Sequence, residues 1–269
     1  MKAAVVGHVE WVDFARVARL PEAGEIVTAQ ETWAEPAGGG GVAAVQLARL
    51  AGGASLFTAL GDDDLGRRSE SELCDRGVSV EAVYRPGPQR RAFTFLDADG
   101  ERTITVMGER LDPREDDPLP WNELEDADAV YFTAGDAGAL RRARRARVLV
   151  ATARVLPVLR EAGVELDALV HSGRDQGERY AAGDLNPPPR LVVSSEGREG
   201  GRFVAGDEEG RWAAAALPGP VEDAYGAGDS LAAGLAFALA EGRRTDDALA
   251  FAAGLSATAL TRRGAHGLT

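Results

Sequence analysis

Two aspartates flank a glycine-rich turn near the C-terminal end of the chain, in the stretch DAYGAGDS at residues 223 to 230. Unpaired backbone N–H groups and the positive end of a helix dipole would meet at Gly226-Ala227-Gly228 if a helix begins there. Glycines lack side chains, so a phosphoryl group could approach those amides and be held without any lysine. Such a helix is predicted by leucines that recur every fourth residue among alanines, at Leu231, Leu235 and Leu239.

The two aspartates have distinct possible tasks. Asp229 would lie in the first helical turn beside the bound anion, where a carboxylate can accept a proton from an attacking hydroxyl group, as alcohol phosphorylation requires. Asp223 could hold Mg²⁺ through water. The alternative is an ordinary helix cap, because aspartate is favoured in first turns and glycines often precede helices. The residues by themselves leave both interpretations open.

The composition narrows the class of protein. The chain has 269 residues, 45% of them hydrophobic, and a formal net charge of -13. This length suits a single large α/β domain or two small ones. The acidic balance argues against a nucleic-acid partner, since such proteins present a basic face to the phosphates. The basic run RRARRARV at 141 to 148 is interpreted as a solvated helix face followed by a strand.

Single residues exclude several kinds of site. Cys74 is the only cysteine, so the chain has no disulfide framework, and the cytoplasm is the expected compartment. The N-terminus lacks the pattern of a signal peptide, and no apolar run is long enough for a membrane span. Lys2 is the only lysine, which disfavours P-loop proteins, protein kinases and Schiff-base enzymes. The histidines are too scattered for a paired zinc site.

The remaining pattern predicts one α/β architecture. Short apolar runs alternate with helical segments, which predicts a mostly parallel sheet covered by helices on both faces. Two further segments alternate polar and apolar residues, at 11 to 33 and 90 to 106. The second contains an Asp-Ala-Asp-Gly turn between its halves and is predicted to form a hairpin. These two segments suggest a small sheet set apart from the main one.

Several segments resemble the PfkB family of carbohydrate kinases. DAYGAGDS resembles the second signature of that family, with Ala224 in place of a threonine. GGGGVAAVQLARLAG at 38 to 52 resembles its N-terminal glycine-rich signature, and TALGDDDLGRR resembles the segment that follows it. DGERT resembles a lid-hairpin turn, and SEGREGG at 195 to 201 resembles the nucleotide loop. The matches occur in the family's order over nearly the whole chain.

The resemblance implies a ribokinase-like fold: a doubly wound, mostly parallel sheet in a single domain over residues 1–269, with lid segments at about 9–36 and 88–107. It implies ATP-dependent transfer of a phosphoryl group to a hydroxymethyl group of a sugar, with Mg²⁺ as a cofactor and a monovalent cation as a further candidate. It also implies a homodimer that pairs through the lid. By motif matching, Asp229 is the base, and the anion hole comprises Gly226, Ala227 and Gly228. The residues that match the family's substrate contacts are Asp13, Gly38, Gly39 and Val42. Those that match its nucleotide contacts are Ser195, Gly197, Gly200 and Gly264.

Departures from the family pattern affect the metal and the acceptor. Val42 stands where the first signature normally carries a substrate-contacting asparagine. The family's Asn-x-x-Glu motif, which organises Mg²⁺, is replaced by HSGRDQGE, whose candidates are Ser172, Asp175 and Glu178. The metal ligands are therefore expected to be Asp223 and Asp175. Val42 and Trp11 suggest an acceptor site less polar than a pentose pocket, so that a nucleoside is an alternative to a sugar.

Three functions remain in competition after these observations. An active small-molecule kinase is favoured by intact Asp229 and its anion hole. A binding or regulatory protein that has lost turnover is suggested by the departures at Val42 and Ser172. A dinucleotide oxidoreductase is the weakest candidate, because no Gly-x-Gly-x-x-Gly follows the first strand. No membrane or nucleic-acid partner is expected.

Overall fold

A nine-stranded sheet forms the centre of the computed structural model, which describes residues 1–267. Its strand order is β13-β12-β11-β10-β9-β8-β1-β4-β5. The strands from β11 to β5 run parallel, whereas β12 and β13 extend the sheet in antiparallel fashion. The strands span Ala3–Val6 (β1), Ala54–Gly61 (β4), Val78–Arg85 (β5), Ala129–Phe132 (β8), Val148–Thr152 (β9), Ala168–Ser172 (β10), Val192–Ser195 (β11), Gly201–Ala205 (β12) and Glu208–Trp212 (β13).

Six helices cover this sheet on two sides. They span Gly38–Ala51 (α1), Asp64–Cys74 (α2), Ala137–Ala143 (α3), Leu156–Ala162 (α4), Ala227–Ala240 (α5) and Thr245–Leu260 (α6). The apolar residues of α1, α5 and α6 share one core with one face of the sheet. Those of α3 and α4 share a second core with the other face. The short apolar strands are buried on both faces for this reason, as parallel strands in α/β proteins usually are.

A second, smaller sheet has four strands in the order β3-β2-β6-β7. They span Glu10–Arg16 (β2), Glu31–Ala37 (β3), Arg91–Leu96 (β6) and Arg102–Met107 (β7). The predicted hairpin at 90 to 106 is the β6–β7 pair, closed by a turn at Gly100, whose φ of +74° favours glycine. We call this sheet the lid, because its strands come from the two segments for which a lid was predicted.

The lid and the main sheet are joined through a third apolar cluster. Phe14 of the lid stacks on Trp33 at a centroid distance of 4.9 Å and meets the edge of Tyr225 at 5.2 Å. Tyr225 comes from the turn before α5, and Val42 from α1 packs in the same cluster. The lid is therefore held against the N-termini of two helices. Within residues 1–267, none of the helices combines the length and apolar content needed to cross a bilayer.

Candidate active site

A cleft of about 470 Å³ opens where the lid faces the carboxyl ends of the parallel strands. Open α/β sheets bind ligands at this edge, outside the carboxyl ends of their strands. Asp229, Gly226, Gly228, Gly38 and Gly39 all line the cleft. The residues of two glycine-rich segments that are far apart in the sequence thus meet at one place.

A second cavity, of about 660 Å³, lies at the opposite, amino-terminal edge of the sheet. Its lining comes mainly from the chain start and from the turn between α1 and β4, with Glu123 and Asp126 as its carboxylates. These side chains offer neither an anion hole nor a base held at a helix N-terminus. The larger volume therefore does not identify the reactive site, and the smaller cleft beneath the lid has the chemical groups.

Asp229 occupies the first turn of α5, as the sequence predicted. The Tyr131 hydroxyl donates a hydrogen bond to its Oδ1 over 3.3 Å. Burial raises the pKa of Asp229 to about 6, and the negative charge of Glu178 adds to the rise. A carboxylate with a pKa in this range is ionised at neutral pH and is still a better proton acceptor than an exposed aspartate. The geometry thus fits a general base.

The predicted anion hole lies directly before Asp229. Gly226 precedes α5 with φ of +76°, and a Cβ atom there would approach Val42 Cγ1 to 2.8 Å, so only glycine fits without strain. In the described part of the chain, the backbone N–H groups of Ala227 and Gly228 donate to no protein acceptor. Gly228 is exposed and has no neighbour within 4 Å of where a Cβ would stand. These amides are available to an anion.

Gly38 and Gly39 bring α1 up to the same place. Gly38 has φ of +78°, and its N–H donates to the Tyr225 hydroxyl over 3.2 Å. A Cβ on Gly39 would come within 2.7 Å of Thr133 Oγ1 and 3.0 Å of Asp229 Oδ1. The absence of side chains at these glycines leaves room beside the carboxylate of Asp229, as a substrate hydroxyl requires.

Asp13 does not reach the cleft, contrary to the prediction from the resemblance. Side chains alternate along a strand, so Val12 and Phe14 face the cluster around Tyr225 while Asp13 points to the opposite side of the lid. There its carboxylate pairs with Arg91, 2.7 Å away. Glu10 lines the cleft instead, on the same face of β2 as Val12.

Val42 and Trp11 are also buried away from the cleft. Val42 is 2% exposed and packs beneath Gly226, so it supports the anion hole and has no path to a substrate. Trp11 is 3% exposed, with the guanidinium of Arg68 stacked 4.5 Å from its ring. The expectation of an acceptor site of low polarity, based on these two side chains, was therefore wrong. Four arginines line the cleft.

Asp223 and Gly264 form a structural contact with each other. The Gly264 N–H donates to Asp223 Oδ2 over 3.0 Å, and the Tyr225 N–H donates to Oδ1 over 2.8 Å. Asp223 is fully buried, and burial raises its pKa. A carboxylate whose two oxygens accept backbone hydrogen bonds in the interior is not placed to hold Mg²⁺. Gly264 likewise binds this carboxylate and does not line the cleft.

The predicted nucleotide loop joins β11 to β12. Ser195 lines the cleft, whereas Gly197 and Gly200 lie in the turn beyond it, with φ of +68° and +76°. A Cβ on Gly200 would come within 2.1 Å of the Trp212 carbonyl oxygen, so the turn itself requires a glycine there. Of the three residues predicted to contact the nucleotide in this loop, only Ser195 lines the cleft.

Asp175 and Glu178 line the cleft next to Ser195, and both pair with Arg154. The Asp175 contact measures 2.9 Å. Glu178 also accepts a hydrogen bond from the Ser172 N–H over 2.9 Å. No group of three or more metal-ligating side chains occurs among residues 1–267. Mg²⁺ bound with a nucleotide commonly uses one or two carboxylates in addition to phosphate oxygens, and these two fit that need.

The sequence analysis missed several charged and polar residues of the cleft. Glu10 lies directly before the segment at 11 to 33 that was interpreted as alternating, and Tyr131 lies in a short run that was interpreted as an apolar strand. His8 is 8% exposed, and burial lowers its pKa to about 3, with the charges of Arg110 and Arg90 adding to the effect. The analysis also missed the arginines of the lining, three of which lie in or beside the lid hairpin and one of which follows β9: Arg90, Arg102, Arg110 and Arg154.

Comparison with known proteins agrees with this geometry. The family model described as pfkB family carbohydrate kinase matches residues 1–164 and 164–268. The chain therefore belongs to the pfkB family. Among curated relatives, an ATP-dependent ribose-1-phosphate kinase of Halopiger xanaduensis is 34% identical over 191 residues. That match covers 66% of this chain and 58% of the relative.

Solved structures of pfkB-like kinases show the same fold over nearly all of the chain. Adenosine kinase from Sinorhizobium meliloti superposes with a TM-score of 0.81 at 21% identity, covering 100% of this chain and 96% of that one. A ribokinase of Arabidopsis thaliana, solved with ribose and ATP, gives a TM-score of 0.72 at 20% identity, with 98% and 93% covered. The ribokinase-like α/β fold expected from the sequence is thereby confirmed.

Proposed function

We propose that this pfkB-family protein is an ATP-dependent kinase that phosphorylates a hydroxyl group of a sugar or sugar-like small molecule. The observation that supports it most directly is the placement of Asp229 beside the free amides of Ala227 and Gly228 and against Gly39 of α1, where a Cβ atom would come within 3.0 Å of Asp229 Oδ1. The base and the anion hole then lie within one turn of α5, and the N-terminus of α1 borders them. Phosphoryl transfer depends mainly on such positioning and on electrostatic stabilisation.

In the proposed reaction Asp229 accepts the proton of the attacking hydroxyl group. The oxygen of that group forms a new bond to the γ-phosphorus of ATP, while the bond from this phosphorus to the bridging oxygen of ADP breaks. The N–H groups of Ala227 and Gly228 stabilise the negative charge that develops on the phosphoryl oxygens. Tyr131 orients the Asp229 carboxylate through its hydroxyl group.

We assign the nucleotide to the side of the cleft that carries Ser195, Asp175 and Glu178. Mg²⁺ bound there would neutralise charge on the β- and γ-phosphates. Asp175 and Glu178 would hold it, and Arg154 would then release one of its two carboxylate partners to the metal or contact a phosphate itself. The Asp223 carboxylate already accepts two backbone hydrogen bonds, so Mg²⁺ is not assigned to it, and no step is assigned to a monovalent cation.

We also propose a homodimer formed through the lid, as well as a cytoplasmic location. The edge strand β7 is exposed throughout, with the side chains of Ile104, Val106 and Met107 between 39% and 44% accessible. An unpaired strand edge with apolar side chains favours pairing with another strand. The single free cysteine, Cys74, is typical of a reducing compartment.

A nucleoside is the second acceptor class, since the same fold occurs in adenosine kinase.

The function is tested by measuring ADP production with Mg²⁺ and ATP across sugars, sugar phosphates, nucleosides and polyols. Turnover with a defined acceptor, abolished in Asp229→Asn, is the expected result. The matched control is Asp246→Asn, because Asp246 also lies in the first turn of a helix but is exposed on α6. ATP binding without turnover on any acceptor would instead indicate a binding or regulatory protein.

A further inference from the structure

Tyr225 lies between the N-termini of α1 and α5 and lines the cleft. It directly precedes Gly226, the residue before α5. Only 7% of the tyrosine is exposed, although it borders open space in the cleft. Its side chain is neither the base nor part of the anion hole, which consists of backbone amides. The phenol group therefore has a place in the site but no assigned task.

The hydroxyl group of Tyr225 uses only its capacity to accept a hydrogen bond. The Gly38 N–H donates to it over 3.2 Å. Among the hydrogen bonds of the described residues, none has this hydroxyl group as its donor. Burial raises the pKa of Tyr225, and the negative charge of Glu10 adds to the rise, so the hydroxyl group keeps its proton at neutral pH. A tyrosine hydroxyl can both accept and donate, and a buried one usually has a partner for its proton.

The carboxylate of Glu10 is not that partner. Glu10 also lines the cleft, but its Oε1 pairs with Arg90 Nε over 2.8 Å. No hydrogen bond joins Glu10 to Tyr225 among residues 1–267. The proton of the phenol therefore points to a partner that is not part of the protein.

The aromatic ring of Tyr225 is held from the lid. The ring of Phe14 meets it edge-on at 5.2 Å, and the guanidinium of Arg102 lies 5.8 Å from its centroid. Arg102 also donates a hydrogen bond to the carbonyl oxygen of Ala224, the residue before the tyrosine. Together with the Gly38 N–H, these contacts fix the phenol from α1 and from two strands of the lid. A group held in this way loses little conformational entropy when it binds a ligand.

The fixed hydroxyl group lies close to the base. It contacts Gly38, and a Cβ atom on the next residue, Gly39, would come within 3.0 Å of Asp229 Oδ1. The negative charge of Asp229 also contributes to the raised pKa of Tyr225. A small molecule that presents one hydroxyl group to Asp229 therefore has its neighbouring atoms beside Tyr225.

We propose that Tyr225 binds the acceptor, donating its O–H to a second acceptor oxygen while Asp229 deprotonates the hydroxyl group that is phosphorylated. This inference rests on the proposed kinase function and adds a specificity-determining residue to its site. Tyr225 keeps its own proton throughout the reaction. The acceptor is then a molecule with at least two neighbouring oxygens, as sugars, polyols and nucleosides have. A simple alcohol leaves the donor of Tyr225 unpaired and is rejected for that reason.

The first test is Tyr225→Phe, which removes the hydroxyl group and keeps the ring. With the best acceptor of the panel, we expect the KM for the acceptor to rise about tenfold and the KM for ATP to stay unchanged. The matched control is Tyr84→Phe, because Tyr84 also loses a hydrogen bond, to Glu70, but lies on β5 at the edge of the main sheet. An acceptor KM that is equal in Tyr225→Phe and in the unmodified protein overturns the proposal.

Acceptors that lack single hydroxyl groups distinguish a direct contact from a displaced helix. Loss of the partner of Gly38 can also shift α1, and such a shift affects every acceptor alike. A direct contact predicts one deoxy analogue whose kcat/KM is about tenfold below that of the parent acceptor in the unmodified protein but equal to it in Tyr225→Phe. If every analogue is impaired by the same factor in both proteins, the contact does not exist.

A binding measurement separates this inference from the proposed function. Turnover that is lost in Asp229→Asn but has a normal acceptor KM in Tyr225→Phe supports the kinase and overturns the contact. If no acceptor is turned over, the kinase proposal fails, and calorimetric titration with the same acceptors decides the inference. Binding that weakens about tenfold in Tyr225→Phe but not in Tyr84→Phe supports it. Equal binding in the two variants, or no binding to the unmodified protein, overturns it.

Discussion

The two ends of the cleft present hydrogen-bond donors of different kinds. At the α5 end, the donors are backbone N–H groups of consecutive residues, fixed by the helix itself, with Asp229 one residue further on. At the lid end, the donors are long arginine side chains from separate strands and loops. Backbone amides cannot move without unwinding the helix, whereas guanidinium groups can change position by rotation about their side-chain bonds. The first end suits the transferred phosphoryl group, and the second suits a substrate that must enter and leave.

The largest expected effect is a loss of catalysis at the α5 end of the cleft, with the fold retained. Asp229→Asn should lower kcat by about 10²- to 10⁴-fold, because the base is lost. The same change should increase the free energy of unfolding at pH 8 by roughly 1–3 kcal/mol. Variant Asp229→Asn is expected to be more stable because burial raises the pKa of Asp229 to about 6 in the folded protein. At a pH below the pKa of the unfolded chain, the carboxyl group is neutral in both states. At pH 8 it is ionised, and the buried charge destabilises the folded state.

Chemical denaturation at pH 8 and pH 5 measures this stability difference. The gain from Asp229→Asn should shrink at pH 5, where the native carboxyl is largely protonated. A variant that loses activity and stability together would show that Asp229 supports the fold and would remove the argument for a base. Asp246→Asn should change neither quantity.

The anion hole can be probed at its most open residue. Gly228→Ala adds a methyl group where the protein has no neighbour within 4 Å, so the free energy of unfolding should change by less than about 0.5 kcal/mol. We expect kcat/KM for ATP to fall by about tenfold, because the new methyl group blocks the approach of a phosphoryl oxygen to the amides. Steady-state kinetics and thermal unfolding of the same sample measure both. Unchanged kinetics would mean that no anion binds here.

The pH profile tests the environment of the base. The acid limb of kcat/KM should lie near pH 6, since Asp229 must be ionised to accept a proton and its pKa is raised to about 6. The hydrogen bond from Tyr131 opposes that rise, so Tyr131→Phe should move the limb to higher pH. Activity at pH 6 should fall about twofold to tenfold, and the loss should be smaller at pH 8. An acid limb at the same pH in the variant would mean that Tyr131 does not affect the pKa of Asp229.

The smallest expected effect sharpens the comparison at the lid end. Asp13→Ala should alter the acceptor KM by less than about twofold, because the Asp13 carboxylate lies on the outer face of the lid and forms an exposed ion pair of little energetic value. Glu10→Gln, on the inner face, should alter it more. Kinetic titration of the acceptor distinguishes the two. A larger effect at Asp13 would restore its predicted contact with the substrate.

Local patterns were sufficient for much of this protein. The spacing of Leu231, Leu235 and Leu239 after the glycine turn predicted helix α5, and with it the position of Asp229 in the first turn. A helix N-terminus is a local structure, so its chemistry can be inferred from contiguous residues. The alternating segment at 90 to 106 likewise predicted the β6–β7 hairpin of the lid.

Tertiary structure decided which face and which partner each side chain meets. Asp13 is one residue away from the face that holds Val12 and Phe14, and a one-residue difference in a strand reverses the direction of a side chain. Asp223 lies close to the glycine turn in sequence, yet its carboxylate accepts a hydrogen bond from the N–H group of Gly264, 41 residues away. Three of the cleft arginines come from the lid hairpin and its flanks, and Arg154 joins them from beyond the end of β9. The sequence determined the fold and the phosphoryl end of the cleft because those depend on neighbours along the chain, whereas the acceptor end depends on how the lid packs.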